Sequence, residues 1–138
     1  MADDLLKTLQ ISGSGMRVQG TRLRVIAENI ANANSLATQP GELPYRRQIV
    51  TFENVLNNRS GLNMVQIDEI RPDLSEFGKT FDPSHPSADE NGYVLTPNVN
   101  TLIEMMDMRE AQRSYEANLN VMRNAKSMLM STIDMLRN

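Results

Sequence analysis

The chain has 138 residues, enough for one ordinary domain, with a net charge of −3 and neither Cys nor Trp. The missing Cys excludes a disulfide framework and thiolate metal sites. The charge divides as +2 over residues 1–47, −5 over 48–97 and zero over 98–138, so no block has the basic, aromatic-interleaved character of a nucleic-acid surface.

Residues 3–34 read as a first long helix. Leu5, Leu9, Met16, Leu23, Ile26 and Ile30 recur at three-, four- and seven-residue spacings, with Val18 and Val25 outside the stripe. Gly13, Gly15 and Gly20 each cost about 1 kcal/mol relative to Ala inside a helix. They either break the segment near residue 13 or permit close backbone approach in a crowded setting. In both cases this helix depends on partners. Its first residues, MADDLLKTLQISGSG, place two acids where a secretion signal needs a basic region, so no ordinary cleaved signal is expected. Asn29, Asn32 and Asn34 stand together at the expected helix end, where amide side chains bond the backbone. A loop over 36–44 follows, turning at Pro40-Gly41.

Residues 45–52 form a plausible strand, 57–61 a turn, and 64–71 the clearest strand, with Val65 and Ile67 on one face. Residues 72–92, rich in Pro, Ser, Asp and Gly, read as an extended loop. Asn91-Gly92 is a tight-turn pair before the apolar run Tyr93-Val94-Leu95. Two or three such strands make a small sheet rather than an independent domain.

From Val99 to Asn138 the chain reads as one uninterrupted helix, roughly 55 to 60 Å long. Pro97 precedes it, Asn98 or Thr101 can cap it, and Glu104 would complete a capping box with Thr101. Met105, Met108, Tyr115, Leu119, Met122, Leu129, Ile133 and Leu136 form a heptad seam, with Gln112 and Lys126 as its polar members. Seven of the ten Met lie in this helix, which suits packing against several neighbours. So long a stripe must be covered by the other end of the chain, by other copies, or by both. The expected fold is therefore mainly α. Two long terminal helices (1–35 and 98–138) pair as an antiparallel coiled coil, with a loop and small β module (36–97) between them.

Candidate chemistry is thin. His85 is the only histidine and has no metal-ligating companion. A calcium loop centred on Gly92 would put Asn98 where a bidentate Glu is required, so the match fails. Glu104, Asp107 and Glu110 lie beside Arg109 and Arg113 and read as an exposed ion-pair face. Gly13-Ser14-Gly15 lacks the Lys and preceding strand of a phosphate loop. No enzyme and no cofactor is expected.

Several segments carry a resemblance. Asn29-Ile30-Ala31-Asn32-Ala33-Asn34-Ser35 resembles the N-terminal motif of bacterial flagellar axial proteins, the rod and hook family. In those proteins Thr-Pro-Gly-Tyr and a basic residue typically follow; here a longer loop leads to Pro44-Tyr45-Arg46-Arg47. Downstream, Pro86, Ala88-Asp89, Asn91-Gly92-Tyr93-Val94, Pro97-Asn98-Val99, Glu104-Met105, Arg113-Ser114-Tyr115 and Ala117-Asn118 agree, so the resemblance spans nearly the whole chain. It implies a structural subunit of the proximal basal-body rod, the drive shaft from motor to hook. It also implies uncleaved flagellar type III export, a place in the rod crossing the periplasm, and helical self- and co-assembly. The implied partners are the rod subunits FlgB, FlgF and FlgG and the ring–rod adaptor FliE.

On that reading the functional residues are interface residues. Asn29, Asn32 and Asn34 bond neighbouring backbones at the helix end. Leu23, Ile26 and Ile30 pack against Leu119, Met122, Leu129 and Ile133. Pro44, Tyr45, Arg46 and Arg47 fix the junction to the β module, and Tyr115 and Asn118 belong to the same interface. A soluble coiled-coil adaptor or export chaperone would need the same seam but gives no reason for the PYRR and NGYV segments. A cell-wall hydrolase would need an acid pair or metal set that the sequence does not offer.

Overall fold

A computed structural model describes residues 1–138. In chain order it contains α1 (Ala2–Ala31), β1 (Gln48–Asn57), β2 (Leu62–Pro72), β3 (Gly78–Phe81), β4 (Tyr93–Thr96) and α2 (Thr101–Arg137).

α1 is continuous through all three glycines. Asp3 and Asp4 in its first turn complement the helix dipole, and Asp3 pairs with Lys7 one turn on at 3.0 Å. The helix ends in a tightening turn, where the N–H of Ala33 reaches the carbonyl of Ile30 and the Nδ2 of Asn32 reaches that of Glu28. α2 is capped by Asn100, not by Asn98 or Thr101. The Asn100 Oδ1 accepts the N–H groups of Leu102 (3.1 Å) and Ile103 (3.4 Å), satisfying donors that the first turn leaves open.

β1 and β2 form one two-stranded sheet and β3 and β4 another. The second is antiparallel, with Phe81 opposite Tyr93 and Gly78 opposite Thr96. Phe81 and Tyr93 meet edge to face at 5.4 Å between ring centroids. Gly92, at φ 84°, makes the turn that feeds β4; its N–H bonds the Asp89 carbonyl, and its own carbonyl accepts from Asp82. The side chain of Asp89 accepts the N–H groups of Asn91 and Tyr93, so this carboxylate builds the turn.

The expectation of a mainly α, coiled-coil chain is overturned. The chain is 49 % helix and 21 % strand in two small antiparallel sheets, a mixed α and β structure. Two physical reasons account for the difference. β1 and β2 run on to residues 57 and 72, and residues 72–92, which read as an extended loop, contain β3. The buried line of the helices is also not a seam of large apolar knobs. On α1 it consists of Ser12, Ser14, Val18, Val25, Ile26 and Asn29. On α2 it consists of Glu104, Ala111 and Ala125. Val18 and Val25, read as lying outside the stripe, are 3 % and 2 % exposed.

The chain divides into two compact units: Met1–Leu23, Thr51–Glu69 and Arg109–Asn138 form one, Arg24–Val50 and Ile70–Met108 the other. In the first, α1 and α2 run antiparallel and approach closely, with Gly13 facing Met122, Gly15 facing Asn118, and Arg22 within 3.6 Å of Glu110. Small residues let the two backbones come together there. In the same unit β1 and β2 are tied across by Gln66 to Glu53 (2.6 Å) and Thr51 to Asp68 (3.3 Å). The second unit holds β3, β4, the ends of the two helices that flank them in sequence, and a buried polar junction.

Candidate functional site: a buried junction and an exposed helical face

The junction begins with Asn29, on the last turns of α1 and 1 % exposed. A buried amide must place both donors and its acceptor. Its Nδ2 donates to the Gln48 carbonyl (2.9 Å) and the Glu104 Oε2 (3.5 Å). Its Oδ1 accepts from the Tyr45 hydroxyl (2.7 Å) and the Gln48 N–H (2.9 Å). One side chain thus ties α1, the start of β1 and the first turn of α2.

Arg47 is the second hub. Its Nε donates to Glu104, its Nη1 to Asp73 at 3.2 Å, and its Nη2 lies 4.0 Å from Asp107. Its backbone N–H bonds the Asn98 Oδ1 at 2.8 Å, and its carbonyl accepts from the Asp73 N–H. Burial works against the guanidinium charge, but Glu104 and then Asp73 outweigh it and hold the Arg47 pKa up. Glu104 is 1 % exposed, so the expected exposed face of Glu104, Asp107 and Glu110 is corrected: Glu104 is buried and paired. Burial, with Glu28 and Glu104 nearby, raises the Tyr45 phenol. The Asp73 carboxyl is held below its ordinary value by the Ser75 N–H, which outweighs the opposing effect of burial, and further by the Ser75 side chain and Arg47.

Arg46 completes the junction. Its Nη1 donates to the carbonyls of Asp73 (2.7 Å) and Ser75 (3.1 Å), and its guanidinium lies 4.1 Å above the Phe77 ring. Asn98 adds its Nδ2 to the same two carbonyls. The chemistry on offer is positional: charges and amides satisfy one another and fix the backbone. His85 sits in a local turn, its Nδ1 within 3.1 Å of the Ser87 N–H.

The other residues singled out from sequence fall as follows. Pro44 and Ile26 are buried; Leu23, Ile30, Asn32, Tyr115, Asn118, Leu119, Met122 and Leu129 are half-buried; Asn34 and Ile133 are exposed. The junction adds Gln48, Asp73, Asn98 and Glu104; from sequence, Asn98 and Glu104 read as capping residues and Glu104 also as part of an exposed ion-pair face. A signal for Glu104 was present: Glu104, Ala111, Asn118, Ala125 and Thr132 recur every seven residues, one position behind the large-residue seam. Half of the large apolar residues left outside are on α2, among them Leu102, Met106, Met128, Met135 and Leu136. Neither helix is long and apolar enough to cross a membrane.

Comparison with known proteins meets this geometry. The chain is 50 % identical over 98 % of its length to the flagellar basal-body rod protein FlgC of Agrobacterium fabrum, covering 97 % of that protein. The chain belongs to the FlgC family of flagellar basal-body rod proteins. The FlgC of Bacillus subtilis is 37 % identical over 92 % of this chain and 95 % of its own. That of Salmonella typhimurium is 36 % identical over 94 % and 96 %. Residues 90–135 match the family described as flagellar basal body rod FlgEFG protein C-terminal, a span holding β4 and most of α2. The chain is a structural subunit of the flagellar basal-body rod. In this FlgC-family member the Tyr45-Arg46-Arg47 segment is where the buried junction is built.

Proposed function

We propose that this chain builds the proximal part of the rod, transmits torque from motor to hook, and assembles through its terminal helices. The single observation that carries the reading is the exposed apolar surface of α2, in a chain related over nearly its whole length to rod proteins. Exposed apolar area of this extent is stabilised by burial against neighbours, at roughly 25 cal/mol per Å². A drive shaft needs many such contacts in parallel and a rigid internal frame; the Asn29–Arg47–Glu104 junction supplies the frame. Other rod subunits, among them FlgB, FlgF and FlgG, and the adaptor FliE are the neighbours this role calls for. Delivery by the flagellar type III apparatus, without cleavage, is the matching route to a rod that crosses the periplasm. The interface residues named from sequence remain part of this reading, with Asn34 and Ile133 the most accessible of them.

The test is made on basal bodies stripped of filament and hook. Mass spectrometry finds this chain with the rod, and deletion of its gene abolishes swimming. If rods form without it while the chain stays soluble, the adaptor or export-chaperone reading replaces this one.

A further inference from the structure

The loop after β2 holds a leucine out into water. Leu74 is 83 % exposed, yet the backbone on both sides of it is fixed. Arg46 and Asn98 hold the carbonyls of Asp73 and Ser75, the Ser75 N–H bonds the Asp73 Oδ1 at 2.9 Å, and the Asp73 N–H bonds the Arg47 carbonyl. A single exposed leucine on a mobile loop needs no explanation. One carried on a fixed loop loses little further freedom when it is covered, which suits an interface anchor. Beside it is an open recess of about 230 Å³, lined by Arg47, Asp73, Asn98, Asn100, Ile103 and Glu104. Ile103 is 51 % exposed at its rim; Asp107, one turn further along α2, shares that face, and Met106 next to it is exposed. The ion-paired cluster here sets one cation, Arg47, against three carboxylates, Asp73, Glu104 and Asp107. Arg46 lies against Phe77, and exposed Glu76 offsets it. This shelf is apolar and acidic.

The far end of α2 has the opposite character. Arg123, Lys126, Met130, Ile133 and Arg137 recur at three- and four-residue steps, a stripe of three cations and two half-exposed apolar residues with a single carboxylate, Asp134, at its edge. We infer that the basic apolar stripe at the C-terminal end of α2 docks on the acidic apolar shelf around Leu74 and Ile103 of a second copy. The contact is head to tail, because the two surfaces are different parts of the chain. Charge complementarity selects the pairing, and Leu74, Ile103 and Ile133 supply the apolar centre. The inference rests on assembly through the terminal helices and names the contact between successive copies.

Cross-linking tests it on the full chain, which has no native Cys. Leu74→Cys and Ile133→Cys chains, each confirmed as folded by circular dichroism, are mixed and treated with a short bismaleimide. The mixed dimer exceeds by about tenfold that from Leu74→Cys with Leu56→Cys, an exposed leucine off both surfaces. Arg137→Glu on the Ile133→Cys chain lowers the yield, and Asp107→Lys on the Leu74→Cys chain restores it. No excess over the Leu56 control, or no rescue by the paired charge reversal, overturns the inference. Cross-linking in isolated basal bodies separates it from the rod assignment. Capture of the Leu74→Cys chain only by a chain of different mass overturns the second-copy contact and leaves the rod role intact, whereas absence of the protein from basal bodies overturns the rod role itself.

Discussion

Gly15 and Asn118 touch across the helical pair so closely that a Cβ on residue 15 would lie 2.9 Å from the Asn118 Nδ2 and 3.1 Å from its Cγ. No side chain fits there unless Asn118 turns away and gives up its bond to the Ser114 carbonyl at 3.0 Å. Gly20, five residues on in the same helix, meets nothing within 4 Å. The two glycines therefore respond to Ala in opposite senses. Gly20→Ala raises stability by about 0.5–1 kcal/mol through helix propensity and a less flexible unfolded chain. Gly15→Ala loses that gain to the contact and is lower than Gly20→Ala by about 1–2 kcal/mol. Urea unfolding followed by circular dichroism reads both; equal effects would remove the close approach as the reason for Gly15.

Asn29 is the residue on which the junction most depends. Asn29→Ala strips partners from the Gln48 N–H, the Gln48 carbonyl and the Tyr45 hydroxyl in a buried site, costing about 2–4 kcal/mol. Tyr45→Phe removes one hydroxyl and costs about 1 kcal/mol. In a double-mutant cycle the two losses are less than additive, because both include the same 2.7 Å bond. Strict additivity, measured by denaturant midpoints, would show that the bond contributes nothing.

The sequence carried the element order well and the helix rotation badly. Both long helices were legible because their periodicity is long, and their stop signals, Asn32 at one end and Pro97 before the other, are strong local chemistry. β1 and β2 were legible from alternation, but β3 was not. Gly78, Lys79 and Thr80 have no strand pattern, and only pairing with the apolar β4 run makes them extended. The helix faces were misread for one reason: large apolar residues were taken to mark the buried side. In a helix pair brought close by Gly and Ala, the buried line is the small one. The large residues flank it: Tyr115, Leu119, Met122 and Leu129 are half-buried, while Leu102, Met106, Met128 and Met135 stay exposed for neighbours. The junction was half visible. Tyr45, Arg46 and Arg47 drew notice as a motif, while Asp73 is 26 positions from Arg47 and nothing local marks it as a partner.

The Asp73 carboxyl sets part of the acid response. Its pKa in the folded chain lies below the ordinary 3.8. A depressed carboxylate contributes stability above its unfolded pKa and loses it as pH falls through the folded value. Stability of the natural chain therefore declines below about pH 4. Asp73→Asn lowers stability at neutral pH and flattens that decline. Tyr45 acts at the other extreme: a phenol raised above 10.0 loses its contribution as pH rises from there, and Tyr45→Phe abolishes that loss. Denaturation midpoints across pH check both; an unchanged acid arm in Asp73→Asn would assign it to other carboxylates.

The rotation of α2 gives the sharpest test of the helical pair. Ala111 is fully buried and Ala125 is 3 % exposed, whereas their neighbours Gln112 and Lys126 are exposed. A leucine at 111 or 125 must push into space already filled, which costs about 1–3 kcal/mol. A leucine at 112 or 126 stands on the outer face and changes stability within about 0.5 kcal/mol. The same outer leucines enlarge the surface left for neighbours, so they increase self-association measured by sedimentation, and the inner ones do not. The reverse pattern, with Leu tolerated at 111 and 125 and disruptive at 112 and 126, would return the buried seam to Met105, Leu119 and Ile133. The close Gly15–Asn118 approach could not survive that rotation, so these four variants also decide whether small residues set the spacing of the helices.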